Sequence, residues 1–164
     1  MTRVYVGVGS NIDRDRHIRA SVAELKNHFG ELSLSSVYES EAYGFDGDNF
    51  YNLVVGFDTD MPLSELATLL KDIEAAYGRK QQEQSFLSRT LDLDLLLYGN
   101  KVIHGEGYDV PREDITRYAF ALRPLAEIAG EEEHPELGRT YAELWESFTD
   151  TKQELWPVDF DFGV

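Results

Sequence analysis

Thr90-Leu91-Asp92-Leu93-Asp94-Leu95-Leu96-Leu97-Tyr98 decides how this chain folds. Nearly every residue in the run favours burial in a sheet, yet two carboxylates sit one residue apart within it. Side chains alternate across a strand, so Asp92 and Asp94 share one face, about 6.6 Å apart along the backbone, and Leu91, Leu93, Leu95 and Leu97 take the other. At an effective dielectric of about 20, two like charges at that spacing repel by roughly 2–3 kcal/mol before desolvation is counted. A divalent cation between them reverses the sign. Oxygen-only ligation from a rigid strand suits Mg²⁺, which takes one or two protein carboxylates and fills its shell with water and substrate phosphates. The other reading is an exposed strand face carrying solvated acids.

Working outward, the chain is expected to follow a βαββαβ order in one α+β domain, with further elements after it. Val4, Val6 and Val8 alternate in a first strand that stops at a Gly9-Ser10-Asn11 turn, and Ile18, Val22, Leu25 and Phe29 predict a helix over 14–28 closed by Gly30. Leu32 to Tyr38 reads as a second strand with a bulge at Ser35-Ser36. Phe50 to Phe57 alternates, with Phe50, Asn52 and Val54 on one face. A second helix starts near Pro62 and carries Leu66, Leu69, Leu70, Ile73 and Tyr77 inward, leaving Lys71 and Glu74 on an exposed flank. After the acid strand come a short strand near 101–103, a helix from Phe120 to Ala129, and a last helix marked by Tyr141, Leu144, Trp145 and Phe148. The tail, 149–164, is expected either to add a strand or to stay loose.

Composition bounds the function. With 164 residues the chain is expected to form a single domain, 1–164, burying about 68–70% of the surface of its extended form. No window reaches the roughly 18 apolar residues of a membrane span, and the absence of cysteine and of a signal-like N-terminus points to the cytoplasm. A net charge of −16, from 31 acidic and 15 basic residues, argues against nucleic acid as a partner. If the substrate is a phosphate, a few arginines and a metal must meet its charge. Val6-Gly7-Val8-Gly9 is no dinucleotide fingerprint, because Ile12 stands where the third glycine is needed, and there is no P-loop. His17, His28, His104 and His134 show no metal-ligand spacing and read as ordinary surface. What remains is two carboxylates, Arg79 and Arg89 flanking a polar loop, and aromatic residues Phe50, Phe86 and Phe120. Phosphoryl transfer asks mainly for positioning and charge neutralisation, which suits that set.

Arg89-Thr90-Leu91-Asp92-Leu93-Asp94-Leu95-Leu96, with Gly9-Ser10-Asn11 before it and Val110-Pro111 and Phe120 after it, resembles the 6-hydroxymethyl-7,8-dihydropterin pyrophosphokinase family of folate biosynthesis over nearly the whole chain. The resemblance implies a ferredoxin-like α+β fold, with an additional C-terminal strand and helices, and transfer of pyrophosphate from ATP to the pterin hydroxymethyl group, with AMP released. It implies that Asp92 and Asp94 hold two Mg²⁺ ions and that Arg79 and Arg89 steady the migrating group. It places the pterin between Phe50 and Phe120, with Asn52 at its edge and Ser40, Tyr43 and Phe86 nearby, and the nucleotide beside Lys71, Glu74, Arg89 and Arg112. The segment 79–88 is then a lid. The expected enzyme is a monomer working on small molecules, with no nucleic-acid or membrane partner.

The sequence also departs from the family pattern. The lead-in to Arg89 is Ser85-Phe86-Leu87-Ser88, without the usual basic residue and glycine; Gln81 replaces a second lid arginine; Ser40-Glu41-Ala42 replaces a threonine- and proline-containing pterin loop. Tyr118 stands where an arginine is expected, with Arg117 beside it, while Arg112 fits the pattern after Pro111. These losses leave two alternatives in view: a diverged paralogue that binds pterin or nucleotide with little turnover or acts on a related alcohol, and a ferredoxin-like interaction module whose acids are merely solvated.

Overall fold

The computed structural model describes residues 1–41, 48–77, 91–150 and 152–163. It is a mixed fold of helices and antiparallel sheet. In chain order the elements are β1 (Thr2–Ser10), α1 (Arg14–Phe29), β2 (Ser33–Leu34), β3 (Val37–Ser40), β4 (Phe50–Thr59), α2 (Leu63–Ala76), β5 (Asp92–Tyr98), β6 (Ile103–Gly105), β7 (Tyr108–Val110), α3 (Asp114–Arg117), α4 (Ala119–Ala129), α5 (Tyr141–Glu146) and β8 (Leu155–Val158). The main sheet runs β5-β1-β4-β3-β8, with β2 also paired to β4; β6 and β7 form a separate hairpin. Among the described residues no helix is long and apolar enough to cross a membrane.

Each face of the sheet has its own core. Val4, Val6, Val8, Leu53, Val55, Phe57, Leu91 and Leu93 meet Ile18, Val22 and Leu25 of α1 and Leu66, Leu70 and Ile73 of α2. Phe29, at the end of α1, stacks on Phe57 with ring centres 4.0 Å apart. On the opposite face Tyr5, Val54, Leu96 and Leu97 meet Ile115, Leu122, Leu125 and Tyr141.

The strict alternation expected for β5 breaks at Leu96. Tyr5 pairs with Leu97 and Val6 with Leu95, so Leu96 is an extra residue on β5. A bulge of this kind resets the alternation. Leu96 and Leu97 therefore both serve the second core, and Tyr98 returns to the first. The freed Leu96 carbonyl accepts the Arg112 N–H at 2.9 Å, which anchors the end of the β6–β7 hairpin.

Sequence reading missed that hairpin, expecting one strand near 101–103 followed by a loop. Gly105 and Gly107 lie at its turn, where the intervening Glu106 also takes a positive φ. Gly9 lies within β1 rather than in a turn, since the strand continues to Ser10. The tail is not loose: β8 pairs antiparallel with β3 from Val37↔Val158 to Ser40↔Leu155. Beyond it Phe160 packs edge-on against Tyr51, and Arg19 donates to the Asp161 carbonyl at 2.6 Å.

The bulge expected at Ser35-Ser36 is present as a one-residue slip between the β2–β4 and β3–β4 registers. Ser35 repairs the ladder there: its backbone N–H donates to the Val54 carbonyl at 3.0 Å, and its hydroxyl accepts the Val54 N–H at 2.8 Å. Ser35→Ala leaves that buried N–H unsatisfied and is expected to lower stability by about 1–3 kcal/mol, read from the midpoint of urea unfolding; an unchanged midpoint would show that the ladder closes without the hydroxyl.

Candidate active site

Cross-strand pairing sets which side chains share a face. Asp92 pairs with Gly9 and Asp94 with Gly7 across β1, and Gly9 and Gly7 pair in turn with Asn52 and Val54 of β4. Directly paired residues point the same way. The acids, the two glycines and Asn52 thus lie on one face, and Phe50 joins them by alternation along β4.

The glycines make the floor between the acids and Asn52. A methyl group at Gly9 would clash with Asn52 Oδ1 at 2.6 Å, whereas one at Gly7 would make only an ordinary contact with the Leu96 side chain at 3.6 Å. Gly9 therefore answers a need for close approach and not for an unusual turn.

Around the acids the charges are unbalanced. Arg112 lies 3.6 Å from Asp94 and bonds Asp114 through Nε at 3.1 Å. One guanidinium thus serves two carboxylates, with Asp92 adjacent. Burial, and next the neighbouring Asp92 charge, push the Asp94 carboxyl up to about 8, with Arg112 pulling the other way. Such a donor set fits a cation. Mg²⁺ needs few protein ligands, and among the described residues no group of three or more His, Asp or Glu side chains is arranged to hold a metal.

Glu74 is a correction. Sequence reading put it on an exposed flank with Lys71, but it is buried, and its Oε2 accepts the Leu93 N–H at 2.7 Å. It caps the free edge of β5 between the two acids. Lys71 is exposed on α2 and lies on the other side of the sheet from the acids.

Phe120, the second residue of α4, packs half-buried against the second core and so lies on the acid side of the sheet. Tyr118 stacks on it, ring centres 5.0 Å apart and 14° from parallel. Ser40 sits across from Phe50 at the β3–β4 edge. Arg117, beside Tyr118, pairs with Glu113 on the exposed flank of α3. Tyr43, Arg79, Phe86 and Arg89, with the proposed lid, lie outside the described residues.

Two histidines are not surface residues. His17 is buried, its Nδ1 2.7 Å from the Ile12 carbonyl. His134 is buried beside Tyr141, its Nδ1 accepts the Glu136 N–H at 3.1 Å, and burial lowers its pKa. Both hold loop backbone. Sequence reading also missed Asp114, whose partnership with Arg112 depends on the turn after Pro111, and Gln153, which lies far along the chain.

The 7,8-dihydro-6-hydroxymethylpterin-pyrophosphokinase family matches residues 5–130. The chain belongs to this family. It is 35% identical over 137 residues to the 2-amino-4-hydroxy-6-hydroxymethyldihydropteridine pyrophosphokinase of Aquifex aeolicus, covering 82% of this chain and 85% of the relative. It is 38% identical over 128 residues to the Bacillus subtilis protein of the same name, covering 76% of each. The fold matches the crystal structure of Plasmodium falciparum HPPK-DHPS with a TM-score of 0.70 at 14% identity, over 90% of this chain but only 44% of that longer one. Of the site residues the resemblance implies, Asp92, Asp94, Phe50, Asn52 and Phe120 lie on one side of the sheet with Arg112 beside Asp94, whereas Lys71 and Glu74 come from α2 on the other.

The acid pair has a consequence for stability in metal-free protein. The fold keeps a proton on Asp94 to about pH 8, whereas an unfolded chain releases it at about pH 4. Between those limits the fold binds more protons, so this group's contribution is full below about pH 4 and is lost as pH rises through 8. Asp94→Asn removes that loss. Its melting temperature is expected to exceed the wild type's by several degrees at pH 8, with a flatter profile from about pH 5 to 8; parallel profiles would show that Asp94 ionises normally.

Proposed function

We propose that this chain transfers pyrophosphate from ATP to the hydroxymethyl group of 6-hydroxymethyl-7,8-dihydropterin, giving AMP and the pterin diphosphate in folate biosynthesis. Family membership supports the reaction, and one observation carries it to the residues: the carboxylate pair shares a sheet face with a side-chain-free floor and Asn52.

In this reading Asp92 and Asp94 hold Mg²⁺, expected as two ions, which neutralises phosphate oxygens when bound. Arg112 keeps the acids aligned through Asp94 and Asp114 and presents positive charge towards the nucleotide. Arg79 and Arg89 steady the transferring group. Phe50 and Phe120 sandwich the pterin over Gly9, and Asn52 reads its edge, with Ser40, Tyr43 and Phe86 around it. Lys71, exposed on α2 across the sheet from the acids, is given no part in this reading, and Glu74 serves indirectly by fixing the strand between the acids. The pterin alcohol attacks the β-phosphorus of ATP, the bond between that phosphorus and the α–β bridging oxygen breaks, and AMP leaves with that oxygen. The alcohol proton passes to solvent. Little covalent work falls to the protein, so alignment and charge supply the rate.

The finer structural reading is also ours. The order β5-β1-β4-β3 supports a ferredoxin-like core, extended by β8 and the C-terminal helices. We take 1–164 as a single-domain, cytoplasmic, monomeric enzyme acting on small molecules. A non-catalytic paralogue remains the second reading, favoured by Tyr118 and by the engagement of Arg117 with Glu113.

Incubation with ATP, Mg²⁺ and the hydroxymethyl dihydropterin is expected to release AMP in step with pterin diphosphate. Ligand binding without AMP at long times supports the paralogue instead. Asp92→Ala and Asp94→Ala are each expected to cut turnover by at least about 1,000-fold, equivalent to about 4 kcal/mol of transition-state stabilisation, while the metal-free variants melt no lower than wild type. Retained turnover in both would remove the acids from the mechanism.

A further inference from the structure

The first turn of α4 carries Phe120 but is poorly secured by its own sequence. Its N-cap residue, Tyr118, makes no side-chain capping bond. Pro124, inside the helix, has no N–H to give the Phe120 carbonyl. Helix starts in this condition need donors and acceptors from elsewhere.

For the backbone on either side of Tyr118 they come from the tail. Gln153 Oε1 accepts the Ala119 N–H at 2.9 Å, and Gln153 Nε2 donates to the Arg117 carbonyl at 3.0 Å. One amide thus satisfies the last carbonyl of α3 and the first N–H of α4, on either side of Tyr118. Asp150 holds the same Nε2 through its Oδ2 at 2.9 Å, which fixes the orientation of the amide. Two residues on, β8 begins; its Leu155 pairs with Ser40 and gives its carbonyl to Arg123 of α4 at 3.1 Å. The tail therefore reaches both Phe120 and the strand end opposite Phe50. The family match covers residues 5–130, so Asp150 and Gln153 lie outside it while the α3–α4 junction they hold lies within.

We propose that Gln153 is a positioning residue for the pterin site, clamping the Arg117–Phe120 backbone so that the Tyr118–Phe120 stack is set before substrate arrives. It acts on the pterin side and not on the nucleotide side, because its side-chain hydrogen bonds to described residues go to the α3–α4 junction and Asp150. The inference rests on the pterin-site reading of Phe120 above.

The test is the dissociation constant of the hydroxymethyl dihydropterin, followed by its fluorescence with Mg²⁺ and a non-hydrolysable ATP analogue, alongside calorimetric binding of the analogue alone. Gln153→Ala is expected to weaken pterin about 10-fold, because the freed Arg117–Phe120 backbone must then be ordered as pterin binds, with analogue affinity within about 2-fold and a melting temperature lowered by at most about 4 °C. Gln153→Glu keeps an acceptor for Ala119 but turns its second oxygen against the Arg117 carbonyl and Asp150 Oδ2, and is expected to weaken pterin at least as much as Gln153→Ala. Unchanged pterin affinity in Gln153→Ala overturns the clamp, as does an equal loss of both ligands, which would mark a merely structural residue. Wild-type protein that binds the analogue but no pterin overturns the pterin-site reading and the clamp together. Wild-type binding with an unaffected variant sinks the clamp alone.

Discussion

Everything at the site depends on two carboxylates held two residues apart on a strand whose opposite face is committed to a core. Leu91 and Leu93 are pinned against α1 and α2, so Asp92 and Asp94 have no freedom to turn away from each other. Glu74 tightens this by bonding the N–H between them. The penalty for ionising both acids is thus built in by packing, and the cost of keeping them together is spread over a large apolar contact. Arg112 relieves only part of it, being shared with Asp114.

The binding face follows from the same strand. With β5 at the sheet edge and β1 beside it, the two glycines of β1 are placed next to the acids by pairing alone. Asn52 comes next because β4 is the other neighbour of β1. Residues separated by more than 80 positions meet through three strands and need no loop to bring them together. The second core then brings Phe120 to this side, through Val54, Leu122 and Leu125.

Much of this was legible in the sequence because it is periodic. Val4, Val6 and Val8, the α1 and α2 stripes and the acid pair announce themselves through spacings of two and of three to four. The Ser35-Ser36 bulge was visible because two adjacent polar residues broke an apolar run. The Leu96 bulge was not, since one more leucine among leucines leaves no mark. Glu74 escaped for a different reason: helical spacing placed it beside Lys71, and only the position of the β5 edge shows that its carboxylate has a buried N–H to serve. His17 and His134 escaped likewise, because their partners are carbonyl and amide groups of loops. Gln153 is a polar residue in an acidic tail, with nothing local to separate it from its neighbours.

The extra residue at Leu96 works as a phase boundary within β5. Upstream, each odd-numbered leucine answers to the helices before the strand; downstream, that allegiance is inverted, and the misaligned carbonyl is turned to holding the hairpin that ends at Arg112. Gaining or losing one position upstream of this point would exchange acids for leucines on the ligand side. The same change downstream would spare the acids and mislay the guanidinium. The strand is therefore two independently timed segments, each setting the place of one sign of charge.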